Sequence, residues 1–153
     1  MQEVFAICNA KDFTEEGILL LRKAGLKSKR NMHTLQNITK LCDVVKSGDK
    51  IVVVSIDRFE NVGKFYQCLN YFMSMGIKFE SLNERLQFKC HSDLKEKYKE
   101  LIVKVIKYEQ YLIVYLDKYY KYQNTSEFKR QTSMLCLAIL KDVFAKDGIL
   151  SRN

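Results

Sequence analysis

The chain predicts an α/β fold: a three-layer sandwich around a mostly parallel sheet, followed by a long C-terminal helix and one further helix. Three observations carry this. Gly48-Asp49 feeds a continuous β-branched run over 51–56, the pattern of a strand buried on both faces. Strand-like runs alternate with amphipathic segments of helical period, as βαβ units do. From Leu94 onward the apolar spacing becomes a heptad.

Val4 to Cys8 reads as a short buried strand. Asp12 and Thr14 are capping residues, Glu15 and Glu16 suit a first helical turn, and Gly25 ends the helix that runs to Ala24. Lys27 to Asn31 is a basic loop. Thr34 to Lys46 carries Leu35, Ile38, Leu41, Cys42 and Val45 at helical spacing. After strand 51–56, a helix beginning near Glu60 buries Val62, Phe65, Tyr66, Leu69, Phe72 and Met73. Ile77 to Leu82 is a further strand, and Arg85 to Cys90 is its hairpin partner. The α/β part spans 1–91, and the helical part, 92–153, belongs to the same structural unit.

In that last part Leu94, Tyr98, Leu101, Val105, Tyr108, Leu112, Tyr115 and Tyr119 make a heptad seam. A helix from Asp93 to Tyr122 would be roughly 45 Å long. A second stripe (Ile102, Ile106, Ile113, Leu116, Tyr120) lies beside the first. One stripe can pack on the sheet domain; the other then needs a partner, or both lie under the last helix. Ser126 to Asp147 is expected to be that helix, with Leu135, Ala138, Ile139, Val143 and Phe144 inward.

The 153 residues are 47% hydrophobic with a formal net charge of +8. Such a chain is expected to be globular, and its charge favours acidic partners such as DNA. No apolar run is long enough for a membrane span, and no secretion signal is evident. Five scattered cysteines, an odd number, read as reduced thiols in a cytoplasmic protein. No metal-ligand spacing occurs, since Cys90 and His91 are mere neighbours; no metal and no cofactor is expected. Phosphate-cradling G-x-x-x-x-G-K and G-x-G-x-x-G motifs are absent. Cys8 lacks the arginine six residues on that a cysteine phosphatase needs, Thr14 standing there. Neither histidine has an evident triad partner.

Polar residues where a buried strand stops lie at its carboxyl end, where open α/β sheets place their sites. Asp57-Arg58 follows such a strand. Gly48-Asp49, the strand, Asp57-Arg58, a helix and then Gly76-Ile-Lys-Phe-Glu-Ser-Leu82 together resemble the catalytic domain of small serine recombinases, the resolvase/invertase family. The resemblance covers about residues 4–120 and is strong over 48–82. It implies a resolvase-like domain and a dimer through the long helix, with Leu101, Val105, Tyr108, Leu112, Tyr115 and Tyr119 at the interface.

Such recombinases attack a phosphodiester with a serine at the end of the first strand, in a Y-A-R-V-S pattern, aided by clustered arginines. One register here puts Asn9 at the nucleophile and Ile7 at the arginine; another puts Cys8 and Ala6 there. Asn61 and Gln110 replace two further arginines. The strand and mobile loop that carry another one look deleted, its position falling near Leu35. Only Asp57 and Arg58 remain. The resemblance therefore implies a degenerate domain unable to cleave DNA, acting by oligomerisation and by weak, sequence-independent binding to DNA or to an intact recombinase. Arg58, Lys95 and Lys99 are the phosphate-contact candidates, and Asp57-Arg58 reads equally as a structural ion pair. The chain's last helix and short tail are not a helix-turn-helix, so base-specific reading is not expected from them. The alternatives are a divergent recombinase that uses Cys8 as nucleophile, and an interaction module with no role on DNA.

Overall fold

The computed structural model describes residues 2–119 and 126–146. Five strands form one sheet in the order β2-β1-β3-β4-β5. They are β1 (Val4–Cys8), β2 (Met32–Thr34), β3 (Lys50–Val53), β4 (Lys78–Ser81) and β5 (Leu86–Phe88). The first four are parallel and β5 is antiparallel to β4. The helices are α1 (Glu15–Lys23), α2 (Ile38–Val44), α3 (Val62–Ser74), α4 (Glu96–Tyr119) and α5 (Ser126–Lys146).

Strand alternation divides the core. Phe5, Ile7, Ile51 and Val53 point to one face, packing with α2, α3, α4 and α5 residues such as Leu41, Phe65, Ile102 and Leu140. Ala6, Cys8, Val52 and Val54 point to the other, under Leu21 and Ile18 of α1. The helices thus lie on both sides of the sheet. The chain moves outward from β1 to β2 and then crosses back to β3, and right-handed crossovers place the connecting helices on opposite faces. Phe59, Phe65, Phe72, Phe79 and Phe88 are fully buried, each side chain stabilising by roughly 1.5–3 kcal/mol.

The turn before β3 is built as its sequence suggests. Gly48 holds a positive φ of 90°. The Asp49 carboxylate accepts from Lys46 N at 2.9 Å and Glu3 N at 3.1 Å, tying the turn to the chain entering β1.

Several expected boundaries shift. The central strand ends at Val53, not at 56, and Ile56–Phe59 forms a 3-10 turn. The reason is Glu84: its carboxylate accepts the Ile56 N–H at 2.9 Å, so that group never joins the ladder. The strand expected to be deleted is present as β2, pairing Ala6 with Met32 and Cys8 with Thr34. Three residues are too few to show alternation: Met32 and His33 fall between the expected loop and helix, and Thr34 at the expected helix start. That helix consequently spans Ile38–Val44 rather than 34–46, after a 3-10 turn at Leu35–Asn37.

The two last helices pack on each other, with the Tyr98 and Phe144 rings 5.9 Å apart. The row that α4 buries within its own chain is Tyr98, Ile102, Val105 and Glu109. Of the expected seam, Leu94, Tyr98 and Val105 are therefore internal. Leu101 and Leu112 are half-buried, while Tyr108 and Tyr115 are 52% and 42% exposed. Ile106 and Ile113 of the second stripe are half-buried. The seam position Tyr119 and the stripe positions Leu116 and Tyr120 lie outside the residues whose side chains are described. The inward face of α5 differs from expectation. Cys136, Leu137, Leu140 and Phe144 are buried and Val143 is half-buried, whereas Leu135, Ala138 and Ile139 face outward. Residues 134–140 are apolar without interruption, so periodicity could not select a face.

Candidate functional site

Strand order reverses between β1 and β3, and in open α/β sheets ligands bind outside the carboxyl ends of the strands at such a switch point. A cavity of about 660 Å³ lies there. Cys8 and Asn9 at the end of β1, and Asp57, Arg58 and Asn61 after β3, all line it. Five of the six family-equivalent positions are thus brought together by the fold. The sixth, Gln110, is exposed on α4 and is not among the lining residues; neither are Lys95 and Lys99. The opposite wall comes from α5, through Lys129, Arg130, Ser133 and Met134.

Arg58 lines the cavity with its charge already paired. Its Nε and one terminal nitrogen donate to the two oxygens of Asp12 at 2.7 and 2.9 Å, and its other terminal nitrogen donates to Asp57 at 2.5 Å. The Asp12 and Arg58 side chains are 2% and 9% exposed. A bidentate pair of this kind is strong, directional and dry. The Asp12 hydrogen bond raises Arg58's hold on its proton, against the effect of burial.

Asp12 sits in a 3-10 turn (Ala10–Phe13) directly after β1, where its carboxylate also accepts from Asn9 N at 2.9 Å. Gly17 lets this turn approach α1: a Cβ there would stand 2.6 Å from the Asp12 carbonyl oxygen. The sequence marks Asp12 only as a capping residue; nothing in it reveals that Arg58 is its partner.

Charge continues across the site. Lys141 of α5 reaches Asp57 and Glu84, each at 3.6 Å. Glu84 is buried and accepts from Ser55 Oγ at 2.8 Å, from Ile56 N, and from the Ser81 hydroxyl. This alternating chain of acid and base fastens α5 to the sheet end. Glu84 and Lys141 were invisible as functional residues, because an acid in a hairpin turn and a lysine on a helix usually face solvent.

Two more features border the cavity. Glu60 occupies the centre of a tight turn: its φ is 72°, and Asn61 N donates to Phe59 O at 2.9 Å. This γ-turn geometry is strained in a residue with a side chain. It redirects the chain so that Asn61 caps α3, accepting from Lys64 N at 2.7 Å. Behind Ser133 lies Glu109, buried, with one carboxylate oxygen lacking any partner. Burial raises its pKa, opposed by hydrogen bonds from Val62 N–H and the Ser133 hydroxyl.

Cys8 is buried, and its thiol pKa is pushed up to about 12, first by burial and then by Asp12. At neutral pH it is a thiol, a poor nucleophile. No group of three His, Cys, Asp or Glu among the described residues is arranged to hold a metal ion. No helix among them is long and apolar enough to cross a membrane.

No protein-family model matches this chain, and no curated protein matches it. What defines the site is its place at the switch point of a 2-1-3-4-5 sheet and the internally neutralised arginine within it.

Proposed function

We propose that this chain is a recombinase-type domain that does not cleave DNA and works by association: with a second copy of itself, with an intact serine recombinase, and weakly with DNA. The observation that carries this reading is the fate of Arg58. It is the one arginine left of the family's cluster, and Asp12 and Asp57 take a hydrogen bond from each of its three nitrogens. The residue at the end of β1 is a buried thiol rather than an accessible serine. Losing one preorganised donor typically costs two to three orders of magnitude in rate. Without the nucleophile as well, strand cleavage has no chemistry to run on.

Self-association is supported by the row beside the internally buried face of α4. Leu101 and Leu112 are half-buried, Tyr108 and Tyr115 are exposed, and Tyr111 and Val114 on the same helix are 63% and 67% exposed. Apolar and aromatic side chains gathered this way suit a second helix. A net charge of +8, with Lys95 exposed and Lys99 half-exposed on the approach to this helix, favours loose, salt-sensitive contact with duplex phosphates.

Two measurements test this. Incubation with supercoiled plasmid, followed by trapping of covalent adducts, is expected to give none; an adduct at Cys8 that vanishes in Cys8→Ala would replace this reading with an active enzyme. Sedimentation equilibrium is expected to show a dimer that Tyr115→Glu converts to monomer with an unchanged circular dichroism spectrum. A wild-type monomer at high micromolar concentration would remove the dimer.

A further inference from the structure

We propose that the cavity between the carboxyl end of the sheet and α5 binds the phosphate group of a small organic phosphomonoester, gripped by Lys11 from the sheet side and Lys129 from α5. This goes beyond the non-cleaving reading and does not depend on it.

The cavity's size is that of a small-ligand site: about 660 Å³, within the few hundred to a thousand typical of such pockets. A small molecule can enter a recess of this size, walled on one side by α5.

The charge on its walls is not balanced. Each acid that lines it already has a cation: Asp57 holds Arg58 and Lys141, and Glu60 holds Lys64. Lys11 and Lys129 also line it, and neither pairs with an acid among the described residues. Arg130 pairs with Glu127, but both side chains are about 60% exposed, so that pair is weak and easily exchanged.

Neutral donors converge on the same space. Asn9 and Asn61 have their side-chain oxygens committed to backbone N–H groups, of Lys11 at 3.0 Å and Lys64 at 2.7 Å. What they leave for a ligand is the amide NH₂, a donor. Ser133 lies one turn beyond Lys129 on α5, but its hydroxyl proton is already donated to Glu109. The acid behind it, Glu109, has a raised pKa and so opposes an anion less than an ordinary carboxylate. Two lysines and two amides, beside an Asp57 already paired with Arg58 and Lys141, match a dianion of tetrahedral oxygens. Apolar lining from Leu35 and Met134 remains for an organic moiety.

The test is calorimetric titration of the intact protein at low salt with inorganic phosphate, adenosine monophosphate, adenosine, and a terminally phosphorylated oligonucleotide. Phosphate and adenosine monophosphate are expected to bind and adenosine not. Lys11→Ala and Lys129→Ala should each weaken binding about tenfold, as loss of one charge-assisted hydrogen bond does. Both lysines are exposed, so the variants should keep the wild-type circular dichroism spectrum. Lys104→Ala, on the outer face of α4, should leave affinity unchanged. The proposal is overturned if adenosine binds as well as its monophosphate, if binding survives in the Lys11→Ala/Lys129→Ala double variant, or if only the oligonucleotide binds.

Discussion

Arg58 and Asp12 are 46 residues apart in sequence and joined by two parallel hydrogen bonds of 2.7 and 2.9 Å. The pair links the turn after β1 to the turn after β3, clasping the two strands at the point where sheet order reverses. It therefore holds the candidate site's shape, and it withdraws from the site the charge that the motif there would otherwise supply.

Removing one partner strands the other in a dry environment. Asp12→Ala is expected to destabilise the fold by about 3–5 kcal/mol, whereas an Asp12→Leu/Arg58→Met double replacement should recover much of that. Urea denaturation of the two variants checks this. A loss below 1 kcal/mol for Asp12→Ala would mean that the pair is solvated and that Arg58 is available after all.

Glu60 should be improvable. With its φ at 72°, replacement by glycine relieves strain that a side chain imposes, and the exposed Lys64 pair it gives up is worth little. Glu60→Gly is expected to raise stability by about 1 kcal/mol, read as a higher melting temperature. A lower one would show that the turn is not strained.

Glu109 makes stability depend on pH in a defined sense. Its folded pKa is raised by burial above the ordinary value of 4.5, so the native state binds its proton more tightly than the unfolded chain does. The proton-linked stability is fully present below pH 4.5 and is lost as pH rises through the folded pKa. Glu109→Gln keeps an oxygen for the Val62 N–H and carries no charge. It should flatten the decline above pH 4.5 and be neutral or stabilising at pH 7. Denaturant midpoints measured from pH 4 to 8 decide it; a variant that tracks the wild type at every pH contradicts the assignment.

Cysteine reactivity should rank by burial and pKa. Cys90 is exposed, Cys8 and Cys136 are buried, and Cys42 and Cys68 lie between. With pKa values near 12 for Cys8 and 11 for Cys68 and Cys136, those thiolates are scarce at pH 8. Iodoacetamide followed by mass spectrometry is expected to label Cys90 first in the native protein and Cys8 only after unfolding. Rapid native labelling of Cys8 would reopen it as a nucleophile.

Much of the fold was legible because it rests on local pattern. The alternation of apolar runs and helical stripes located β1, β3, β4, α1 and α3, and the Gly48-Asp49 turn and the Thr14 cap are local hydrogen-bonding solutions. Strand β2 escaped because three residues carry no period; pairing with β1 makes it a strand. The end of β3 escaped because Glu84, 28 residues on, takes the N–H that would have continued it.

The candidate site divides the same way. The sequence by itself determined that Asp57-Arg58 would stand at the carboxyl end of a central strand, since a buried run must stop where polar groups begin. It also determined that two apolar helices would follow the sheet. Only the tertiary structure decided that Arg58 is spent on Asp12, that Lys141 closes a charge chain to Glu84, and which half of the apolar circumference of 134–140 is covered. Side-chain pairing and burial are settled by what lies across in space, and a partner 46 residues away leaves no periodic trace in the chain.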